Sequence, residues 1–168
     1  MTTDRNSSAF YPLRARLAAV LVAALLGGAF AQDVHLDQFT VTTTTVGGKT
    51  SEVLTPSTSM KPGTLAQYSV TVRTDKVTRN AHMRLAIPAG TTYVAGSATV
   101  SDTATPTFTV DGKDYSARPV KTVTVTENGR KVIKVMPAEI NEYRGVRWDL
   151  KNLAAGQVEH LSLRVRVN

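Results

Sequence analysis

Three histidines, His35, His82 and His160, are the residues of this chain best suited to bind a metal ion. Imidazole suits copper and zinc, and such a site needs at least three nitrogen or carboxylate ligands that converge. The chain contains no cysteine, so thiolate metal sites, cysteine nucleophiles and disulfides are excluded. We expect three unrelated surface histidines and no cofactor. The alternative is a small copper protein with redox activity, such as superoxide dismutation, that uses all three.

The sequence carries no recognisable catalytic motif. Ser97 lies in the stretch AGSAT, without the Gly-x-Ser-x-Gly pattern of a nucleophile elbow. Glu139 and Glu142 are three residues apart, but paired glycosidase acids need a cleft and a fixed separation, so a solvated acidic patch explains them better. We therefore predict that the protein is not an enzyme.

The most distinctive surface feature of the sequence is basic. Four arginines and two histidines have the outward phase of their strands, and they are Arg84, Arg147, Arg164, Arg166, His82 and His160. If the strands that carry them are neighbours, they form one cationic sheet face. Such a face would bind phosphates or carboxylates of anionic surface polymers, because the guanidinium group makes paired hydrogen bonds with both. The alternative is a solvated face whose arginine stems cover apolar surface.

These side chains are expected on β-strands, because residues 32–168 are rich in Thr and Val and frequently alternate apolar and polar side chains. The clearest strands are AQYSVTVRT, AHMRLAI and VEHLSLRVRV. Strong hairpin signals lie at Gly47-Gly48, Asp111-Gly112 and Asn128-Gly129. Only PAEINEYRG is helix-like, and it is expected to be irregular or a single turn. Many short strands with frequent turns predict an all-β, antiparallel β-sandwich with extra hairpins.

The glycines of IPAGTTYVAGSATV, residues 87–100, could belong to a phosphate-binding loop or to bends between strands. A phosphate-binding loop needs a helix N-terminus after it, and no helix is expected here. We therefore predict that Gly90 and Gly96 make bends.

The N-terminus has the pattern of a secretory signal peptide. Arg5, Arg14 and Arg16 precede the apolar run LAAVLVAALLGGAFA, which is short for a membrane-spanning helix and ends in small residues. We predict cleavage before Gln32, with a retained membrane anchor as the alternative. The net charge is +7, and removal of three basic and one acidic residue would leave +5. Export disfavours a nucleic-acid partner and points to the periplasm, the outer membrane surface or the extracellular envelope.

The stretches MKPGTLAQYSVTV, AHMRLAIPAGTTYVAGSATV and VRWDLKNLAAGQVEHLSLRVRV resemble the conserved repeat domain of bacterial cell-surface and surface-layer proteins. The matching positions are Pro62, Gly63, Tyr68, Pro88, Gly90, Tyr93, Gly96, Trp148, Leu153 and Gly156. The resemblance covers about residues 60–168 and implies an immunoglobulin-like sandwich without catalytic residues. Together with the N-terminal pattern, it predicts three regions: a signal peptide (1–31), an N-terminal β segment or linker (32–59) and the sandwich domain (60–168).

The chain departs from that family in two ways. It has one copy where tandem copies are usual, and DKVTRNAH replaces an Asn-Gly-rich stretch. A single copy cannot form a stalk, so the expected role is a secreted subunit that joins a larger envelope or surface-layer protein, or an anionic surface polymer. The threonine run at 40–45 could supply an exposed strand edge for that association. The favoured alternative is a strand paired within its own sandwich, and the edge could also support a homo-oligomer.

Overall fold

The structure is a computed structural model that describes Val22–Ala23 and residues 32–168. Apart from those two residues, the predicted signal peptide lies outside the described residues. The described chain is all-β, as predicted, and its one helical element is a 3₁₀ turn. The strands are β1 (Val22–Ala23), β2 (Gln32–Val46), β3 (Lys49–Pro56), β4 (Leu65–Thr74), β5 (Ala81–Ala86), β6 (Thr91–Tyr93), β7 (Ala104–Thr109), β8 (Val120–Glu127), β9 (Arg130–Pro137), β10 (Gly145–Leu150) and β11 (Val158–Val167), and the 3₁₀ turn is Ile140–Glu142.

These strands form three sheets, and every pairing is antiparallel. Sheet A has the order β1-β5-β10-β7, and sheet B has the order β3-β2-β4-β11-β6. The third sheet is the two-stranded hairpin β8–β9.

The core consists of the inward side chains of sheets A and B, which gives a sandwich-like fold. In sheet B, Leu163 lies opposite Tyr68, and in sheet A, Trp148 lies opposite Met83; all four are almost fully buried. The period-two alternation of the sequence produces this arrangement, because every second residue of a strand points to the same side. The predicted inward phases of β4, β5 and β11 are confirmed.

Two of the three predicted hairpin turns join paired strands, whereas Asp111-Gly112 lies in a loop spanned by the isolated Phe108–Ser116 bridge. The pairs Gly47-Gly48 and Asn128-Gly129 close the hairpins β2–β3 and β8–β9. Gly90 and Gly96 have φ angles of +76° and +72°, and strand β6, not a helix, follows Gly90. These two glycines make bends, as predicted, because a positive φ is strained for residues with a side chain.

Strand β2 joins the N-terminal segment to sheet B. Residues 32–40 pair with β4, and from Phe39 onward β2 also pairs with β3. Most of the threonine run therefore lies beyond the end of the β4 ladder, in the β2–β3 hairpin, and β3 is the edge strand. In the described part of the chain, no helix is long and apolar enough to cross a membrane.

Candidate functional site

The structure divides the predicted cationic face between two sheets. Arg84 and His82 lie on β5 and Arg147 lies on the neighbouring β10, so these three share sheet A. Arg164, Arg166 and His160 lie on β11 of sheet B. The expectation of one continuous face was wrong. The phase of a strand shows which of its side chains point outward, but it does not show which sheet the strand joins. The outer sides of sheets A and B point in opposite directions.

On sheet A, two arginines face each other across the ladder. Arg84 and Arg147 are direct partners in the β5–β10 register, and Asp149 is the partner of His82 in the same ladder. Arg147 forms an ion pair with Asp149, with Nη2 donating a hydrogen bond to Oδ2 at 3.1 Å. No described residue forms a hydrogen bond or ion pair with the side chain of Arg84. One carboxylate thus faces two guanidinium groups.

Tyr115 holds both arginines from a loop after β7. The guanidinium carbons of Arg84 and Arg147 lie 5.3 Å and 5.2 Å from the centre of its ring, within the range of a cation–π contact. The Nε atoms of both arginines are buried and make no well-aligned hydrogen bond, although Nε of Arg147 lies 3.0 Å from Asp149 Oδ1. The two stems are therefore fixed by packing, and the donors of Arg84 are the ones without a partner among the described residues.

His82 lies beside this pair, and the charge of the pair affects its pKa. The pKa of His82 is lowered from its ordinary value of 6.5 by burial first, and then by the positive charges of Arg84 and Arg147. Asp149 acts in the opposite direction. Both guanidinium groups therefore lie on the His82 side of the ladder, where like charges disfavour the imidazolium.

On sheet B, the side chain of Arg164 is hydrogen-bonded to other residues of the chain. Its Nη1 and Nη2 donate to the two carboxylate oxygens of Glu52 at 2.8 and 2.6 Å, and its Nε donates to Gln67 at 3.0 Å. Arg166 donates to the carbonyl of Gly63 at 3.2 Å. Both arginines line an open pocket of ≈ 440 Å³ beside the loop 94–97.

The three histidines do not converge. His82 belongs to sheet A, whereas His35 and His160 lie on sheet B, on either side of Thr71. His35 contacts Asp37 at 3.1 Å, and His160 contacts the Thr71 hydroxyl at 3.2 Å. Among the described residues, no group of three or more His, Cys, Asp or Glu side chains is placed to hold a metal ion. The alternative copper site built from all three histidines therefore has no support in this geometry.

The other candidate residues have structural contacts. The Ser97 hydroxyl donates to the carbonyl of Val94 at 2.6 Å and accepts from the Arg164 backbone at 2.9 Å. Glu142 accepts hydrogen bonds from Lys121 at 2.7 Å and from the Glu139 backbone at 2.8 Å. These bonds lower the pKa of Glu142, with Lys121 as the larger cause.

The β8–β9 hairpin exposes apolar side chains and belongs to neither of the two larger sheets. Ile133 and Val135 are 71% and 67% exposed, and neighbours on β9 include the part-exposed Val132 and Met136. Its strands pair only with each other, and Lys121 ties the hairpin to Glu142 of the 3₁₀ turn. A two-stranded hairpin is marginally stable alone. Clustered apolar side chains exposed on such an element are typical of an interaction surface.

A second apolar surface lies at one end of the sandwich. Tyr93, Phe108 and Tyr143 form an aromatic cluster, with ring centres 5.0 to 6.1 Å apart. The cluster lines an open pocket of ≈ 250 Å³, together with the exposed side chains of Val100 and Ile140.

Two features of these candidate sites were not predicted from the sequence. Tyr115 contacts both arginines only because its loop returns over sheet A through the Phe108–Ser116 bridge, and no pattern in the sequence marks that return. The exposure of β9 was visible in part, since RKVIKVMP combines apolar and basic residues near an Asn-Gly turn. Comparisons with protein-family models, with curated proteins and with solved structures found no match to this chain.

Proposed function

We propose that the protein is a secreted, non-enzymatic module of the bacterial cell envelope, with an immunoglobulin-like sandwich that associates with a larger surface protein or with an anionic surface polymer. Its N-terminal sequence pattern supports export, and its resemblance to surface-layer repeat domains supports the envelope setting. The observation that carries the association role is the β8–β9 hairpin, which pairs with no other strand of the described residues and exposes Ile133 and Val135.

The chemistry of the hairpin favours one kind of protein partner. Residues 120–137 contain four basic side chains, Lys121, Arg130, Lys131 and Lys134, and one acidic side chain, Glu127. Lys121 pairs with Glu142, and Lys134 pairs with Glu127. The excess positive charge therefore comes from Arg130 and Lys131. A surface with an apolar centre and acidic rim therefore complements it. A second copy of this chain is a poorer fit, because the chain keeps a net charge of +5 after the predicted cleavage.

The test is gentle extraction of the protein from its own envelope, followed by sizing and mass spectrometry. We expect a large assembly that contains at least one acidic protein. The double substitution Ile133→Ser and Val135→Ser should release the chain as a small species. The matched control is Val46→Ser, which removes an equally exposed valine from the tip of the β2–β3 hairpin and should leave the assembly intact.

Three outcomes would contradict the proposal. The first is recovery of the wild-type chain only as a free monomer. The second is full retention of the assembly by the double variant, which would remove the hairpin from the interface. The third is a homo-oligomer without another protein, which would replace the proposed partner by a second copy.

A further inference from the structure

We propose that Arg84 and Arg147, held against Tyr115 on the outer face of sheet A, form a binding site for a phosphate group. The proposal gives a ligand chemistry to the polymer-binding part of the proposed function and rests on it for the source of the phosphate. The site is separate from the β8–β9 hairpin, so failure of phosphate binding and failure of the hairpin interface are distinguishable.

The pair of Arg84 and Arg147 carries more positive charge than its surroundings compensate. Like charges placed directly opposite each other across an antiparallel ladder are unfavourable, and Arg84 and Arg147 are such a pair. Asp149 is the one carboxylate that pairs with them among the described residues, and it contacts Arg147 alone. One positive charge thus remains uncompensated, and a bound anion would neutralise it.

The two guanidinium groups are held in place without a ligand. The buried Nε atoms and the contacts with Tyr115 fix both guanidinium groups before any ligand arrives. Fixed side chains lose little rotamer freedom on binding, and this improves affinity. A solvated arginine pair of the ordinary kind would have mobile heads and hydrated donors.

The number of oxygen acceptors distinguishes a phosphate ligand from a carboxylate ligand. Each guanidinium group can donate two parallel hydrogen bonds to two oxygens. A carboxylate has two oxygens and can match only one such group in this way. Asp149 already contacts Nε and Nη2 of Arg147, which leaves its Nη1. A tetrahedral phosphate offers oxygens both to the paired donors of Arg84 and to this Nη1, so the arrangement favours phosphate over carboxylate.

The test is a nuclear magnetic resonance titration of the purified protein at constant ionic strength. Inorganic phosphate should cause saturable shifts of the Arg84 and Arg147 Nε–H signals. Dimethyl phosphate is added separately, because tighter binding of this ester than of inorganic phosphate would indicate a diester-linked polymer as the source. The reverse order would indicate free phosphate or a terminal phosphate. Acetate, as the carboxylate probe, should bind more weakly than both.

Variants separate the site from general charge. Arg84→Gln should weaken phosphate binding about tenfold or more, since charge-assisted hydrogen bonds are lost. Arg84→Lys keeps the charge and the stem but loses the paired donors, so it should also weaken binding and covers the case in which Arg84→Gln does not fold. Asp149→Asn should tighten binding, because it frees Arg147. The matched control, Arg73→Gln, removes an exposed arginine from sheet B and should change nothing.

The proposal would be overturned by the absence of saturable shifts in the wild-type protein. Equal weakening by Arg73→Gln would also overturn it, since the effect would then be nonspecific. Acetate that binds as tightly as phosphate would remove the assignment of phosphate.

Discussion

Arg164 on β11 and Glu52 on β3 are joined by two hydrogen bonds of 2.8 and 2.6 Å across a sequence separation of 112 residues. In a flat sheet, the row of Arg164 would continue through Gln67 and Phe39 to Pro56, and not to Glu52. The β2–β3 hairpin must therefore bend over the outer face of sheet B. The ion pair fastens this hairpin to the sandwich.

We expect Glu52→Gln to release the β2–β3 hairpin without unfolding the core. The hydrogen-bonded pair is lost, whereas the buried contacts of sheets A and B are unchanged. Hydrogen exchange of amides 41–54 should become faster, and exchange in β4 and β11 should not change. The control is Glu127→Gln in the other hairpin, which should leave exchange at 41–54 as it is; faster exchange throughout sheet B would contradict the prediction.

Acid should have the same effect as Glu52→Gln. Hydrogen bonding to Arg164 is the main cause that holds the pKa of Glu52 below its ordinary value of 4.5. A lowered carboxyl pKa means that the stabilisation is present above pH 4.5 and is lost as pH falls through the lowered pKa. The Arg164 Nε–H signal should shift in that range in the wild-type protein but not in Glu52→Gln.

Tyr68 and Trp148 should respond in opposite ways to replacement by phenylalanine. The hydroxyl of Tyr68 is buried without a hydrogen-bond partner, and burial raises its pKa. Tyr68→Phe removes this unsatisfied group and should raise the free energy of unfolding by about 1 kcal/mol. Trp148→Phe breaks the 3.0 Å bond from Nε1 to the Thr99 carbonyl and leaves a cavity, so it should lower that free energy by about 2 kcal/mol or more.

Urea denaturation of the two variants measures this contrast directly. Destabilisation by Tyr68→Phe would show that its hydroxyl has a partner, such as a buried water molecule.

His82 should titrate below pH 6.5 in the wild-type protein, for the causes given above. Arg84→Gln removes a neighbouring positive charge and should raise the pKa of His82. The lowered pKa means that the unfolded chain binds more protons near pH 6, so this group reduces stability as pH falls below 6.5. A titration of the His82 ring signals in the wild-type protein and in Arg84→Gln tests both statements, and Arg73→Gln on sheet B is the matched control.

Gly90→Ala should lower the free energy of unfolding by about 1 kcal/mol, because a side chain disfavours positive φ. No atom lies within 4 Å of the added Cβ, so the cost is conformational and not steric. Gly90→Asn should cost less, since asparagine tolerates this conformation better. A clash would make asparagine, the larger residue, the worse of the two in thermal denaturation.

How far the sequence predicts this protein differs between the fold and the site. The strands β4, β5 and β11, their inward phases and the bends at Gly90 and Gly96 follow from local patterns, because period-two alternation and turn residues act within a few positions. The Phe108–Ser116 bridge that brings Tyr115 over sheet A depends on contacts between loops and strands, which leave no comparable pattern.

The sequence by itself determined an all-β chain, the outward phase of each arginine and the places of the main turns. Only the tertiary structure decided which strands are neighbours. Pairing in a sheet depends on the complete topology, and alternation is the same whichever partner a strand takes. For this reason Arg84 and Arg147 came together beside Tyr115, whereas Arg164 went to the other sheet and bound Glu52.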